Sequence, residues 1–267
     1  MQGDTNTVMA GALVASKMDI KVGHVEAGLR SYDRTMPEEI NRIVTDHVSD
    51  YLFCPTAKQA DILKKENIDK NKIFVTGNTD VDAVFECGDI AQKKSNIMKD
   101  NEIDSKEYIL MTSHRPATVD NEKKLKTVLN ATNEIAQKYD KQIIFPMHPR
   151  TKKMIENFNI KLSNKFIVIE PIGYLDMLLL QKNAFLIITD SGGLQEESCI
   201  LEKKCAVIRN NTERPEAVEV GGCILVGNSD ENKIITEIEK LINKDVKWKN
   251  PFGEGDGAEQ IMDIILN

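Results

Sequence analysis

Phe185-Leu186-Ile187-Ile188-Thr189-Asp190-Ser191-Gly192-Gly193-Leu194-Gln195-Glu196-Glu197 changes period in its middle. A short apolar run of the kind a buried parallel strand carries gives way at Asp190 to a Ser-Gly-Gly turn, and the turn opens a helix. Such a turn brings free backbone N–H groups and the positive end of a helix dipole to one point, which suits a phosphate. Glu197 then stands one to two turns into the helix, where its carboxylate can meet a ribose hydroxyl instead of competing for the phosphate. By itself a Ser-Gly-Gly turn after a strand is also an ordinary connection, so its weight comes from the rest of the chain.

The alternation continues outward on both sides. Towards the N-terminus, Ile143–Pro146 is a strand leading into His148-Pro149-Arg150, and Tyr108–Thr112 is a strand ending at Ser113-His114-Arg115, with a helix from Asn121 to Tyr139 between them. Earlier still, strands at Ile20–Val25, Tyr51–Cys54 and Ile73–Thr76 alternate with helices at Thr5–Lys17, Pro37–His47 and Thr56–Lys65. Further strands stand at Phe166–Ile169 and Cys205–Ile208, and a late helix at Glu231–Ile242. Pro37 at a helix start with Glu38 and Glu39 behind it, and Thr56 as a cap, give those helices their beginnings. The pattern predicts an α/β protein with parallel sheets covered by helices on both faces. A domain boundary is expected near Gly77–Asp82, with the polar stretch Ala91–Lys106 as a second candidate.

In 267 residues of net charge −7, with 41% hydrophobic and 29% charged residues, a sizeable core can form. The acidic balance argues against a nucleic-acid duplex or an anionic membrane as partner, since either needs a basic surface. Five cysteines without a CxxC pair fit reduced thiols in a cytoplasm better than a disulfide framework. No run approaches the ~20 apolar residues that span a bilayer, and no signal segment opens the chain. Met1–Thr5 reads as a turn and a helix N-cap with no strand ahead of it, so the chain is expected to begin inside a βα unit.

Ligands of open parallel sheets bind at the carboxyl ends of strands, and the polar clusters fall there: Asp4, Glu26, His114, His148 and Ser191. Asp4, Glu26 and Glu38 are candidates for acid–base work, because repulsion and burial separate the pKa values of gathered carboxylates. Each also has a plainer reading: Asp4 as an N-cap, Glu38 as a first-turn partner of the helix dipole, Glu26 as a loop charge. His114-Arg115 and His148-Pro149-Arg150 can bring positive charge to a diphosphate or merely decorate loops. Thr212-Glu213-Arg214-Pro215-Glu216-Ala217 is a solvated loop or, with Arg209, a second wall of the phosphate pocket. His24, in an apolar run, and His47, on a helix face, read as structural. No metal-ligand spacing is present.

Taken together, Gln2-Gly3-Asp4-Thr5, Gly23-His24-Val25-Glu26-Ala27-Gly28-Leu29-Arg30, Pro37-Glu38-Glu39-Ile40-Asn41-Arg42, Ser113-His114-Arg115, the Asp190–Glu197 stretch, Thr212–Ala217 and Asn250-Pro251-Phe252-Gly253-Glu254-Gly255 resemble the non-hydrolysing UDP-N-acetylglucosamine 2-epimerases. The resemblance implies two Rossmann-like parallel-sheet domains of the glycosyltransferase-B type, the first incomplete: 1–79 as the remainder of the N-terminal domain, 80–250 as the UDP-binding domain, and 251–267 as a helix returning to the first. It implies about ninety further N-terminal residues, from the usual domain size, carrying a cleft arginine that this sequence lacks. The implied reaction is reversible epimerisation of UDP-GlcNAc and UDP-ManNAc at C2, by elimination and re-addition of UDP. Asp4, Glu26 and Glu38 match the carboxylates of the proton traffic and His114 the residue near the leaving diphosphate. Ser191, Gly192, Gly193 and Glu197 match UDP contacts, and Arg214 is placed with them. No cofactor and no metal is implied, the partner is the UDP-sugar, and a homodimer is the expected assembly. Pro116-Ala117 stands where bacterial members carry a polar pair ending in Glu, so their activating second UDP-GlcNAc site is not expected.

Two other readings remain open on sequence grounds: a UDP-sugar-binding chain that is inactive or needs a partner, and a relative that acts on a modified UDP-sugar or hydrolyses it.

Overall fold

The computed structural model describes residues 1–104 and 107–267. Ser105 and Lys106, at the end of the second boundary candidate, lie outside the described residues. The chain forms two compact units, Met1–Ala83 with Pro251–Asn267, and Val84–Asn250.

The first unit is built on a three-stranded parallel sheet, β1 (Gly23–Val25), β2 (Tyr51–Cys54) and β3 (Ile73–Val75), in that order. Helix α1 (Asn6–Ser16) precedes β1, α2 (Pro37–Val48) lies between β1 and β2, and α3 (Ala57–Lys65) between β2 and β3. Thr5 caps α1 by accepting from the Val8 N–H at 3.3 Å, so Asp4 is not the cap. Pro37 opens α2 in the position where its missing N–H costs nothing, and Thr56 caps α3. Gln2 forms one parallel bridge with Val25, so the residues ahead of α1 extend the sheet past β1. Ala27, Leu52, Cys54, Ala60 and Leu63 make a small core. Helix α4 (Thr79–Lys94) begins in this unit, which the last helix of the chain rejoins. There Asp82 accepts from the first N–H groups of that helix, Gly257 at 3.2 Å and Ala258 at 2.9 Å.

The second unit carries a six-stranded parallel sheet. Its strands are β4 (Tyr108–Thr112), β5 (Gln142–Pro146), β6 (Phe166–Ile169), β7 (Leu186–Thr189), β8 (Cys205–Val207) and β9 (Cys223–Leu225), in the order β6-β5-β4-β7-β8-β9. The polar stretch after α4 holds a single helical turn, α5 (Ile97–Asp100). The connections are α6 (Pro116–Val119), α7 (Glu122–Lys138), α8 (Pro149–Asn157), α9 (Tyr174–Asn183), α10 (Gly192–Ile200) and α11 (Pro215–Glu219). After β9 come α12 (Glu231–Asn243) and, back in the first unit, α13 (Gly257–Leu266).

Ile109, Met111, Ile143, Phe145, Leu186 and Ile188 alternate onto one sheet face and meet Leu125, Val128 and Ile135 of α7 and Ile234, Ile238 and Leu241 of α12. The intervening Tyr108 is equally buried, and its hydroxyl donates to the Leu180 carbonyl of α9 at 2.6 Å. Both faces are thus covered, which is why these strands read as continuous apolar runs.

The strand order reverses between β4 and β7: later strands add on one side of this pair and β5 and β6 on the other. A crevice outside the carboxyl ends of such strands is where open α/β sheets bind ligands. The residues there are Ser113-His114-Arg115 after β4 and Asp190-Ser191-Gly192-Gly193 after β7.

Candidate active site

The two loops at the switch point are locked together by buried polar groups. The hydroxyls of Thr112 and Thr189, paired across β4 and β7, lie 2.7 Å apart. Beyond them Asp190, with no exposed surface, accepts from the Ser113 hydroxyl at 2.9 Å and from the His114 and Arg115 N–H groups at 3.0 and 2.9 Å. Its Oδ1 lies 3.2 Å from His114 Nδ1. Burial pushes the Asp190 carboxyl up, but the His114 ring, the Arg115 N–H and the Ser113 hydroxyl outweigh it and hold the group below the ordinary carboxylate value. His114 is thereby fixed through one ring nitrogen, with its side chain 42% exposed. Asp190 is not among the site residues expected above, although it opens the Asp190–Glu197 stretch just after β7.

Ser191 caps α10 by accepting from the Leu194 N–H at 3.4 Å. The N–H groups of Gly192 and Gly193 precede that cap bond and belong to the set without an intrahelical acceptor, so the turn has the donors an anion needs. A Cβ on Gly192 would stand 2.5 Å from Glu213 Oε1 and 2.7 Å from Arg214 Nη1, whereas one on Gly193 would meet only the Ser191 hydroxyl at 3.9 Å. Gly192 is therefore required by packing inside the protein and Gly193 borders open space. Glu197, half-buried on α10, accepts from the Gln181 amide of α9 at 2.5 Å, which aims its carboxylate.

The segment Thr212–Ala217 corrects the solvated-loop reading. Arg209, Glu213, Arg214 and Glu216 are all buried. Glu213 accepts from Arg209 at 2.7 Å and Arg214 at 2.8 Å, and Arg214 reaches Glu196 of α10 at 2.5 Å. Burial would raise the Glu213 carboxyl; the two guanidinium groups overcome that and hold it far below the ordinary range. Arg214 thus lies against the Gly192 turn while paired with two carboxylates. His148 caps α8, accepting from the Arg150 N–H at 3.1 Å, and Arg150 pairs with Asp120 on the surface at 2.5 Å. Both have local structural work, although the His148 ring lies 5.7 Å from that of His114.

In the first unit two of the three candidate carboxylates, Asp4 and Glu26, flank the end of β1, and Glu38 stands in the first turn of α2. The Gly3 N–H donates to the Val25 carbonyl at 3.3 Å, which puts Asp4 and Glu26 on adjoining turns. The Asp4 carbonyl accepts from Asn41 at 2.8 Å, and its carboxylate lies 3.4 Å from Arg42 Nε. Glu38 lies four residues before Arg42 on the same face of α2. Glu26 has φ +71°, a conformation costly for a side chain and found mainly where surrounding structure imposes it. Glu39, adjacent to Glu38, is instead consumed internally: it accepts from the Ser31 and Tyr32 N–H groups, the Ser31 hydroxyl and Arg42. Arg42 keeps one buried donor, Nη2, without a partner among the described residues. Such a donor calls for explanation, and it lies on the residue joining the Asp4 turn to α2. His24 is fully buried, while His47 sits on the outer face of α2 with Nδ1 2.8 Å from the Ile43 carbonyl oxygen.

Among the described residues no cluster of three or more His, Cys, Asp or Glu side chains is arranged to hold a metal ion. No described helix is long and apolar enough to cross a membrane.

Two parallel α/β units, one of them with a helix N-terminus and a fixed histidine at its switch point, define a protein of the two-domain Rossmann-like, glycosyltransferase-B class. The UDP-N-acetylglucosamine 2-epimerase family model matches residues 1–266, and the chain belongs to that family. It is 54% identical to the UDP-N-acetylglucosamine 2-epimerase of Methanocaldococcus jannaschii, over 99% of this chain and 74% of that protein. The crystal structure of the M. jannaschii enzyme in complex with UDP-GlcNAc and UDP superposes with a TM-score of 0.92, over 99% and 74% of the two chains. The Neisseria meningitidis UDP-GlcNAc 2-epimerase bound to UDP-GlcNAc superposes at 0.88 with 35% identity, over 99% and 75%. A Pseudomonas aeruginosa UDP-2,3-diacetamido-2,3-dideoxy-D-glucuronate 2-epimerase is 38% identical, over 98% of this chain and 73% of that protein.

Proposed function

We propose that this chain interconverts UDP-GlcNAc and UDP-ManNAc. In this reading Ser191, Gly192, Gly193, Glu197 and Arg214 hold UDP, with the diphosphate on the α10 N-terminus and the ribose at Glu197. His114, oriented by Asp190, donates to the diphosphate as it leaves. A carboxylate among Asp4, Glu26 and Glu38 takes the proton from C2; the electron pair forms the C1–C2 double bond as the C1–O bond to UDP breaks, giving a glycal. UDP then returns to C1 while a second carboxylate delivers a proton to the opposite face of C2. Only protons and UDP move in this route and no step transfers a hydride, so this route draws on no redox cofactor. The observation that carries the reading is the Ser113–Arg115 loop tied by Asp190 to the Ser191 turn at the switch point. We further propose a division of labour between residues 1–79 with 251–267 and residues 80–250, a homodimer, a cytoplasmic setting, and supply of surface polysaccharide precursors. The Pseudomonas relative supports a second reading, the same chemistry on a modified UDP-sugar.

The test is turnover in deuterated water. Epimerised product should carry deuterium at C2, and Asp4→Asn, Glu26→Gln and Glu38→Gln should each cut turnover by about 100- to 10,000-fold with UDP binding retained. Product without C2 deuterium would overturn the mechanism.

A further inference from the structure

We propose that the buried pair His24–Asp46 is a positioning brace that sets the spacing between the Asp4 and Glu26 turns; this rests on the reading of those two carboxylates as proton-transfer groups. Strand β1 is three residues long; one bridge joins it to Gln2, with the Val25 N–H donating to the Met1 carbonyl at 2.8 Å and the Gly3 N–H to the Val25 carbonyl at 3.3 Å. The Glu26 turn also holds an uncommon backbone conformation, φ +71°, of a kind that persists only when the surroundings over-determine it.

The His24 side chain adds a side-chain link to these backbone bonds. Nδ1 lies 2.6 Å from Asp46 Oδ1 and Nε2 lies 3.0 Å from the Gly3 carbonyl oxygen. With an oxygen acceptor at each ring nitrogen, both are hydrogen-bonded when both carry a proton. The other oxygen of Asp46 accepts from the Gly28 N–H at 3.2 Å and lies 2.7 Å from Arg30 Nη1. One carboxylate therefore reaches both turns: Gly28, two residues after Glu26, directly, and Gly3, one residue before Asp4, through the imidazole. Arg30 is itself anchored, donating to Glu66 at 2.9 and 2.7 Å. A buried ionic set is a poor source of stability, since desolvation offsets most of its attraction. What it supplies is direction, and both of its ends fall on the backbone beside a candidate catalytic carboxylate.

His24→Asn keeps a donor near Asp46 and withdraws the one at Gly3; His24→Gln reaches Gly3 instead. A misplacement near 1 Å costs about 100-fold in turnover, so His24→Asn should lower kcat by about that factor while KM and the UDP dissociation constant stay within about twofold. His24→Gln should recover part of the loss, Asp46→Asn should resemble His24→Asn, and His47→Ala on the outer face of α2 should match the parent protein. A folded His24→Asn with the parent kcat, beside an inactive Asp4→Asn, overturns the brace and leaves the proposed function standing. Full activity of Asp4→Asn and Glu26→Gln overturns the proposed function instead. The brace is then judged by hydrogen exchange, which needs no turnover: in His24→Ala, amides of residues 2–4 and 26–28 should lose protection together. Loss confined to one of the two turns, or none, refutes it.

Discussion

Asp190→Asn is the most exacting test of the switch-point geometry, because the change is isosteric and its cost can be worked from the contacts. The carboxylate serves the Ser113 hydroxyl, the His114 and Arg115 N–H groups and the His114 ring with two oxygens and no exposed surface. The amide keeps one acceptor oxygen and turns N–H donors towards groups that are themselves donors. At least two bonds to a charged acceptor are lost, at about 1.5–3 kcal/mol each, so about 3–6 kcal/mol at neutral pH. That approaches the whole stability of a domain, which is about 5–15 kcal/mol. The cost also has a pH signature. Because the folded carboxyl titrates below its unfolded value, its stabilisation is fully present above the ordinary Asp value of about 3.9 and is lost as pH falls through the folded value. The gap between parent and variant should therefore be widest above about pH 4 and close below it. Urea unfolding followed by Trp248 fluorescence reads this unit alone, since Trp248 is the single tryptophan and donates to the Cys199 carbonyl at 2.9 Å. A loss below about 1 kcal/mol, less than one ordinary hydrogen bond, or a gap that does not narrow in acid, would refute the account of Asp190 as the lock.

Gly192→Ala should lower the melting temperature and weaken UDP binding by about 10- to 100-fold, since overpacking costs about 1–3 kcal/mol and the displaced Glu213 and Arg214 are mutually paired; Gly193→Ala, facing open space, should weaken UDP binding with the melting temperature unchanged. Equal melting temperatures for the two variants would refute the assignment of their roles. Gly28→Ala combines φ +81° with a Cβ 2.6 Å from the Gln59 carbonyl oxygen. It should destabilise the first unit by about 2–5 kcal/mol, seen as lost hydrogen-exchange protection in β2, and parental protection there would contradict it. Burial pushes the Cys54 and Cys199 thiols up to about 12, and the Cys205 thiol and burial raise Cys223. A thiol reagent at pH 8 should thus modify Cys87 quickly in the native protein and all five cysteines only in denaturant; rapid native labelling of Cys199 would count against the packing of α10.

What the sequence made legible follows from which forces act locally. Helix starts at Thr5, Thr56, Asn121 and Ser191 are legible because a cap is a bond between neighbours in the chain, and the start at Pro37 because proline's fixed φ and missing N–H suit a first helical turn. The central strands of the six-stranded sheet are legible because both of its faces are covered. Helix α9 is hidden because its apolar residues Leu178, Leu179 and Leu180 are contiguous and leave no 3.6-residue period. The site divides in the same way. Ser191 and His114 stand at strand ends and advertise themselves, whereas the role of Asp190 exists only once β4 and β7 pair in the register Ile109 to Leu186, seventy-seven residues apart. The charges of Thr212–Ala217 carry the opposite lesson. Alternating acids and bases suggest a solvated loop because burying any one of them alone is prohibitive; here Glu213 is matched by Arg209 and Arg214, and Arg214 by Glu196 from another helix. Compensation of that kind is a property of the folded neighbourhood, so a charge pattern read along the chain cannot separate a wet loop from a buried ionic wall behind a helix N-terminus.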